Sequence, residues 1–291
     1  MGKAVRGIDH LVLPVRDLSA AVSLYQRLGF TVAPVAHHPF GTANAVVQLG
    51  NGYLELLTVE DAGKIPAADG FSFATYNRDF LARHEGFSMV ALTSEDAAGD
   101  AAHFASLGVA TLAPFDFARE TTTAEGETKT LAFSLVFAQE PRLGEAVFFT
   151  CRHHYPENFW SETYRHHSNG ATALAGAVMT APDPADFHEF LYVMTGQHDI
   201  HSSSAGVGFP LRGTAIDVLS PLAARARYGD VVPDMETPRL VAFRITVPDL
   251  DGMRARMDAG RVEYSERAGA VIVPPSAGCG TAIIFETGQG G

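Results

Sequence analysis

Two short apolar segments each carry one residue able to do chemistry: His10 in Ile8-Asp9-His10-Leu11-Val12-Leu13-Pro14-Val15, and Glu55 in Tyr53-Leu54-Glu55-Leu56. In an extended strand alternate residues share a face, so His10 goes with Val12 and Pro14, and Glu55 with Tyr53 and Leu57. If both faces line one hollow, an imidazole and a carboxylate meet there. Such a pair binds a divalent ion when further ligands arrive, because catalytic sites commonly use about three protein ligands and keep a position open. Without an ion the pair can act as a base and its orienter, or as polar contacts in an apolar pocket. His37, Asn44, Tyr53 and Arg119 are candidates for polar contacts to a small ligand, with Phe40, Phe71, Phe73 and Tyr76 as apolar walls. The stretch Asp61 to Glu85 is long for a plain link and rich in aromatic residues, which makes it a candidate lid.

A site of this kind needs a scaffold, and 291 residues suffice for two domains with separate cores. The 46% hydrophobic and 19% charged fractions fit a globular protein. No run offers the roughly 18 apolar residues of a membrane helix. A formal charge of −12 without any Lys/Arg run argues against a nucleic-acid partner, since phosphate binding needs a concentrated basic face. The expected partner is a small molecule. Met1 to Gly7 lacks the apolar centre of a secretory signal, so a cytoplasmic location is expected. Cys151 and Cys279 lie in apolar runs and are expected to be buried free thiols.

The strongest pattern is an internal repeat: an apolar strand, an Asp, a short amphipathic helix and a Gly. It runs through Asp17 and Gly29, Asp96 and Gly108, Asp183 and Gly196, and Asp249 and Gly260, spacings of 12, 12, 13 and 11 residues. That is about three helical turns, with an N-cap residue type before and a C-cap type after. Strand-like runs follow each helix: Gly29 to Val35, Asn44 to Leu49 and Tyr53 to Val59 in the first copy, Leu131 to Val136 and Ala146 to Cys151 in the second. The third offers Gly213 to Leu219, and the fourth Val262 to Tyr264, Ala270 to Val273 and Thr281 to Phe285. The unit is βαβββ and the class α+β. One unit buries only one sheet face, so four units should pair into two domains, 1–165 and 166–291. His153 to Gly170 fits neither template and reads as an ordered connector across the domain interface.

These residues resemble the vicinal oxygen chelate superfamily over nearly the whole chain. Ile8 to Val15, Asp17, Tyr25, Leu28-Gly29-Phe30 and Tyr53-Leu54-Glu55-Leu56 are similar to its first module. His38-Pro39-Phe40-Gly41-Thr42-Ala43-Asn44, Arg152 to Trp160 and His167-Ser168-Asn169-Gly170-Ala171 narrow the resemblance to glyoxalase-like domain proteins. The resemblance implies two domains with curved mixed sheets, a small-molecule site and a homodimer. It also implies metal ligands on the first and last strands of paired modules. The positions seven before each repeat Asp are His10, Met89, Gly176 and Ala242; on the last strands stand Glu55, Phe149 or a neighbour, Asp217 and a displaced Glu286. The full glyoxalase ligand set is therefore absent. The expected metal set is His10, Glu55 and His153, holding one divalent ion of Fe, Mn, Zn or Ni type. The function this implies is a lyase or isomerase of a small carbonyl or hydroxy-carbonyl compound, with a non-catalytic binding protein as the alternative. An extradiol dioxygenase is disfavoured, because the resemblance would place its iron in the C-terminal pair, where Gly176 and Ala242 cannot coordinate.

Overall fold

The computed structural model describes residues 4–67, 71–122, 126–232 and 236–288. Residues 1–3 of the opening segment and 68–70 of the candidate lid lie outside these. The first module comprises β1 (Ile8–Pro14), α1 (Leu18–Arg27), β2 (Ala36–His37), β3 (Thr42–Leu49) and β4 (Gly52–Val59), followed by α2 (Phe73–Arg83). The second has β5 (Met89–Thr93), α3 (Ala97–Ser106), β6 (Ala110–Thr111), β7 (Phe115–Thr122), β8 (Thr128–Gln139) and β9 (Val147–His153). Two short helices, α4 (Pro156–Phe159) and α5 (Glu162–Arg165), precede the third module of β10 (Ala173–Thr180), α6 (His188–Thr195), β11 (His201–Ser203), β12 (Gly206–Leu211) and β13 (Thr214–Leu219). After α7 (Pro221–Tyr228) comes the fourth, β14 (Arg239–Val247), α8 (Leu250–Gly260), β15 (Ser265–Arg267), β16 (Ala270–Val273) and β17 (Ala282–Thr287).

Each half forms one open mixed sheet. Strand order is β2-β3-β4-β1-β5-β9-β8-β6, with β7 also on β8, and β11-β12-β13-β10-β14-β17-β16-β15. Paired modules meet through their first strands, antiparallel, with His10 opposite Ala91 and Gly176 opposite Arg244. The pairing lies within one chain.

The repeat's caps act locally as their residue types imply. The Asp17 carboxylate accepts the Ala20 N–H, Asp96 that of Gly99, and Asp249 those of Asp251 and Gly252. Asp183 opens a 3₁₀ turn, Pro184–Phe187, before α6. Gly29, Gly108 and Gly196 take left-handed φ values of 89°, 82° and 69°. In the fourth copy the expected glycine is one residue early: Gly260 ends the helix and Arg261 turns at φ 51°. Arg261 stands twelve residues after Asp249, as Gly29 does after Asp17, so the turn's place is set by the helix length that spans the sheet.

The strand reading needs three corrections. Gly29 to Val35 is not a strand; only Ala36–His37 pairs with β3. The fourth module's edge strand is Ser265–Arg267 rather than Val262 to Tyr264. The strands β6, β7, β11 and β12 are additional. The β7 burial alternates residue by residue, an amphipathic signal that Phe115-Asp116-Phe117-Ala118-Arg119 carried openly.

The outer sheet faces and the repeat helices share one core across the two halves, with Phe30 on Phe285 at 6.0 Å and Phe148 on Phe190 at 5.7 Å. The inner faces form two separate hollows. In the second, Ala224 and Tyr228 of α7, with Val231 and Val232, pack onto Val178, Ala242 and Ile284. In the first, aromatic residues surround polar ones.

Candidate active site

A register shift in β1 between Ile8 and His10 breaks the strict alternation of the strand. Asp9 and His10 consequently meet: Asp9 Oδ1 takes His10 Nδ1–H at 2.7 Å and His153 Nε2–H at 3.1 Å. Burial would raise the Asp9 carboxyl, but the His153 and His10 imidazoles outweigh it and hold it well below the usual carboxylate range. Asp9 is therefore ionised, and His10 is fixed as the tautomer with its proton on Nδ1.

His10 Nε2 then faces Glu55 Oε2 at 3.8 Å, so the two side chains do share the first hollow. Glu55 Oε1 accepts from Asn44 Nδ2 at 2.5 Å, and Asn44 abuts His38 Nε2 at 3.4 Å. The Tyr53 ring stacks on His10 at 4.4 Å and Phe149 closes on its edge at 5.4 Å. Phe40 lies over His38 at 5.0 Å and roofs the group. Arg119, from β7, lines the same pocket with its Nε buried and unpartnered.

The structure separates other expected residues from this group. His37 is exposed at the rim, paired with Glu60 at 2.7 Å, while its neighbour His38 turns inward. His37 ends β2 facing outward, and His38, just past the strand with its N–H on the Thr42 carbonyl, faces inward; the sequence reading chose the outward one. His153 sits on the far side of Asp9, packed on Phe133 and Phe159, and does not reach Glu55. His154 bonds Ser134 Oγ at 2.8 Å. Phe71 packs on Tyr76 and Phe137 away from the pocket, whereas Phe73 lines it. The candidate lid contains α2, docked through Phe73, Asn77 and Phe80. The connector is held by the first half, through Gln48 to Phe159 O and Ser161 N and through Asn169 to Leu28 O, and its end also by the second, through Arg256 Nη2 to Ser168 O at 2.9 Å. Its α4 and α5 wall a cleft rather than bridge the two sheets. Asp9 and His38 are the site residues that sequence reasoning missed; the Asp-His dipeptide and the histidine pair were the available signals.

The pocket at the floor has a volume of about 30 Å³. Outside it lies a cleft of about 1000 Å³ that shares Asn44, Val46, Arg119 and Phe159 with the floor. A second cleft of about 360 Å³ between the halves also holds an imidazole–carboxylate pair, His84 and Glu145 at 3.0 Å, but there Arg239 at 2.9 Å already neutralises the carboxylate.

His10 and Glu55 supply two ligand-type donors in the hollow, and Met89 and Phe149 on the second module supply none. Among the described residues the group with ligand atoms close enough for an ion is Asp9, Cys151 and His153, all within 4.8 Å. His153 Nε2 lies 3.1 Å from Asp9 Oδ1, and the N, O and S donors of the three residues suit a Zn(II) or Fe(II) type ion. These three would hold an ion behind His10, where its charge would tune the Asp9–His10 pair. Both cysteines are free, with Cys151 buried and Cys279 half-buried; burial and the nearby Asp9 push the Cys151 thiol well up.

The second hollow is filled differently. Asp217 occupies the place of Glu55, opposite Val178 as Glu55 is opposite Val12. Between Asp217 and Glu286 stands Arg244, Nη2 at 3.1 Å from Asp217 and Nη1 at 2.9 Å from Glu286. Gly176, the His10 counterpart, makes room: a Cβ there would lie 2.5 Å from Arg244 Nη2. A guanidinium occupies the centre of the second hollow.

Burial draws the His38 pKa down to about 4, against the pull of Glu55. The unfolded chain therefore takes up a proton between about pH 6.5 and about pH 4 that the folded chain refuses, and stability falls as pH drops through that window. The loss amounts to about 3 kcal/mol at most. His38→Gln should flatten this slope in urea unfolding at pH 5 against pH 7; unchanged slopes would remove His38 as its cause.

Four βαβββ modules in two open sheets, with an imidazole and a carboxylate on one floor, define a tandem vicinal oxygen chelate fold. A family model described as a glyoxalase-like domain matches residues 8–194, and the chain belongs to that family. No curated protein matches the sequence. Among solved structures, a hypothetical protein from Staphylococcus aureus is similar with a TM-score of 0.70 and 14% identity, over 97% of this chain and 100% of that one. A variant of 4-hydroxymandelate synthase from Streptomyces coelicolor gives 0.60 and 11%, over 99% and 95%. A xylose isomerase-like TIM barrel/4-hydroxyphenylpyruvate dioxygenase fusion protein gives 0.57 and 12%, over 100% of this chain and 50% of that one. At these identities the likeness is one of fold. No helix among the described residues is long and apolar enough to cross a membrane.

Proposed function

We propose that this protein is a glyoxalase-like lyase or isomerase that moves a proton on a small carbonyl or hydroxy-carbonyl compound in the first hollow. The observation that carries this reading is the aim of His10: Asp9 holds Nδ1, leaving Nε2 pointed at Glu55 on a buried floor. A carbon acid beside a carbonyl placed there has two basic atoms within reach. Glu55 or His10 Nε2 takes the proton, and the same group, now the acid, returns it at the neighbouring position. Asn44, bonded to Glu55 Oε1, fixes the carboxylate, and the stacked Tyr53 ring keeps water from the imidazole face. A bound divalent ion would add electrostatic stabilisation of the developing oxyanion. The filled second hollow supports a structural role for the C-terminal half.

Proton abstraction is read without knowing the net reaction, by proton NMR of hydrogen–deuterium exchange next to the carbonyl in D₂O. With enolisable 2-oxo acids such as pyruvate, and hydroxyacetone, as the panel, the wild type should exchange at least one compound. His10→Gln should slow that exchange by about 100-fold, in the range lost with a general base. Ligand binding without exchange in the wild type would favour the non-catalytic binding protein; exchange unaltered in His10→Gln would remove His10 from the chemistry.

A further inference from the structure

Arg119 stands where the floor pocket meets the outer cleft, on β7 opposite Leu131 of β8. It is half-buried, and burial draws its pKa down against the opposing pull of Glu55 and Tyr53. Its Nε is shut off from water with no hydrogen-bond partner, and Nη1 reaches the Glu120 carbonyl at a long 3.4 Å. Leaving a charged N–H group unpaired in a dry place is costly, so such a group is usually completed by a ligand or a partner. Glu55 does not complete it. Its Oε1 is taken by Asn44 and its Oε2 faces His10, and among the described residues no ion pair joins it to Arg119.

Resting on the proton-transfer reading above, we infer that Arg119 receives a carboxylate of the substrate, so that the site takes a 2-oxo or 2-hydroxy carboxylate rather than a neutral carbonyl compound. A guanidinium offers a planar fork of N–H donors that matches a carboxylate, with charge as well as geometry in favour. With the carboxylate at the neck, the adjacent oxygenated carbon enters the floor pocket, whose 30 Å³ accommodates a group of a few atoms. His10 and Glu55 lie there. The rest of the molecule extends into the 1000 Å³ cleft, along Leu131, Phe159 and Trp160. Arg119 thus selects for charge at one end and leaves the far end of the substrate loosely specified.

The test is ligand-observed NMR on the full chain with glyoxylate, pyruvate and phenylpyruvate, each beside its methyl ester. The wild type should bind at least one acid about tenfold more tightly than its ester. Arg119→Gln should abolish that preference, and Arg119→Lys should keep part of it, since a lysine retains the charge without the fork. Arg119 lies on a half-exposed arm, so thermal midpoints of the variants should stay near the wild type and exclude misfolding as the cause. Equal binding of acid and ester, no acid binding, or acid binding unchanged in Arg119→Gln would overturn the inference. Exchange of an ester in D₂O that is lost in His10→Gln would preserve the proton-transfer reading while the carboxylate assignment falls. Arg119-dependent acid binding without exchange would do the reverse.

Discussion

Arg244→Ala is expected to lower the unfolding free energy by about 2 kcal/mol at neutral pH, and millimolar Ca²⁺ or Mg²⁺ should restore part of the loss. The guanidinium bonds Asp217 and Glu286, and the three side chains are only 12%, 18% and 27% exposed. Removing one partner of a buried ionic group typically costs 3–5 kcal/mol, roughly, because the remaining charges stay desolvated and unpaired. Partial exposure here brings the figure down. Two carboxylates then face each other across the space that Gly176 leaves open, an arrangement of oxygen donors that a divalent cation can bridge. Urea unfolding with and without the cation measures both effects. An unchanged midpoint in Arg244→Ala would show that the cluster contributes nothing to stability, and a loss unaltered by cations would show that the two carboxylates do not converge. Arg244→Met, which fills the space with apolar atoms, should be less responsive to cations than the alanine variant.

Asp9→Ala should be more damaging, with about 3 kcal/mol of stability lost and hydrogen exchange in the substrate slowed by about 100-fold. The carboxylate is the common acceptor for His10 and His153, so its removal orphans two imidazole N–H groups at once in a buried place. The His10 ring also loses the contact that fixes its tautomer. Coupling distinguishes this from simple loss of packing: in the double variant Asp9→Ala/His153→Ala the combined loss should be smaller than the sum of the single losses, since one orphaned group is gone. Strict additivity in thermal or urea unfolding would argue that the three residues do not act as one network. Asp9→Asn keeps the shape and loses the charge. It should retain more stability than Asp9→Ala but not the exchange activity, as the amide can present the wrong atom to Nδ1.

Much of this molecule is local in origin, and what is local could be read from the chain. Asp17, Asp96, Asp183 and Asp249 cap their own helices with side-chain oxygens. The spacing of 12, 12, 13 and 11 residues from Asp to Gly then brackets each helical segment, so the four modules and their α+β class followed from residue types and periodicity alone. The family likeness rested on the same stretches, and the family model confirms it. His10 and Glu55 were identified because strand parity is a two-residue rule that needs no knowledge of the partner strand.

What the tertiary structure decided lies where strands meet or where the alternation fails. Within-chain pairing of β1 with β5 and of β10 with β14 depends on which edges are free after all four modules form, a property no single module carries. The shift at Ile8 and His10 turns Asp9 toward the imidazole that parity had placed on the opposite face. Which of His37 and His38 enters the hollow is set by the pairing of this segment with β3, His37 opposite Ala43 and the His38 N–H on the Thr42 carbonyl. Arg244 reaches Asp217 and Glu286 only because a glycine stands across from it on the neighbouring strand. In each case the deciding interaction joins residues far apart in sequence, and its energy exists only once the sheet brings them together.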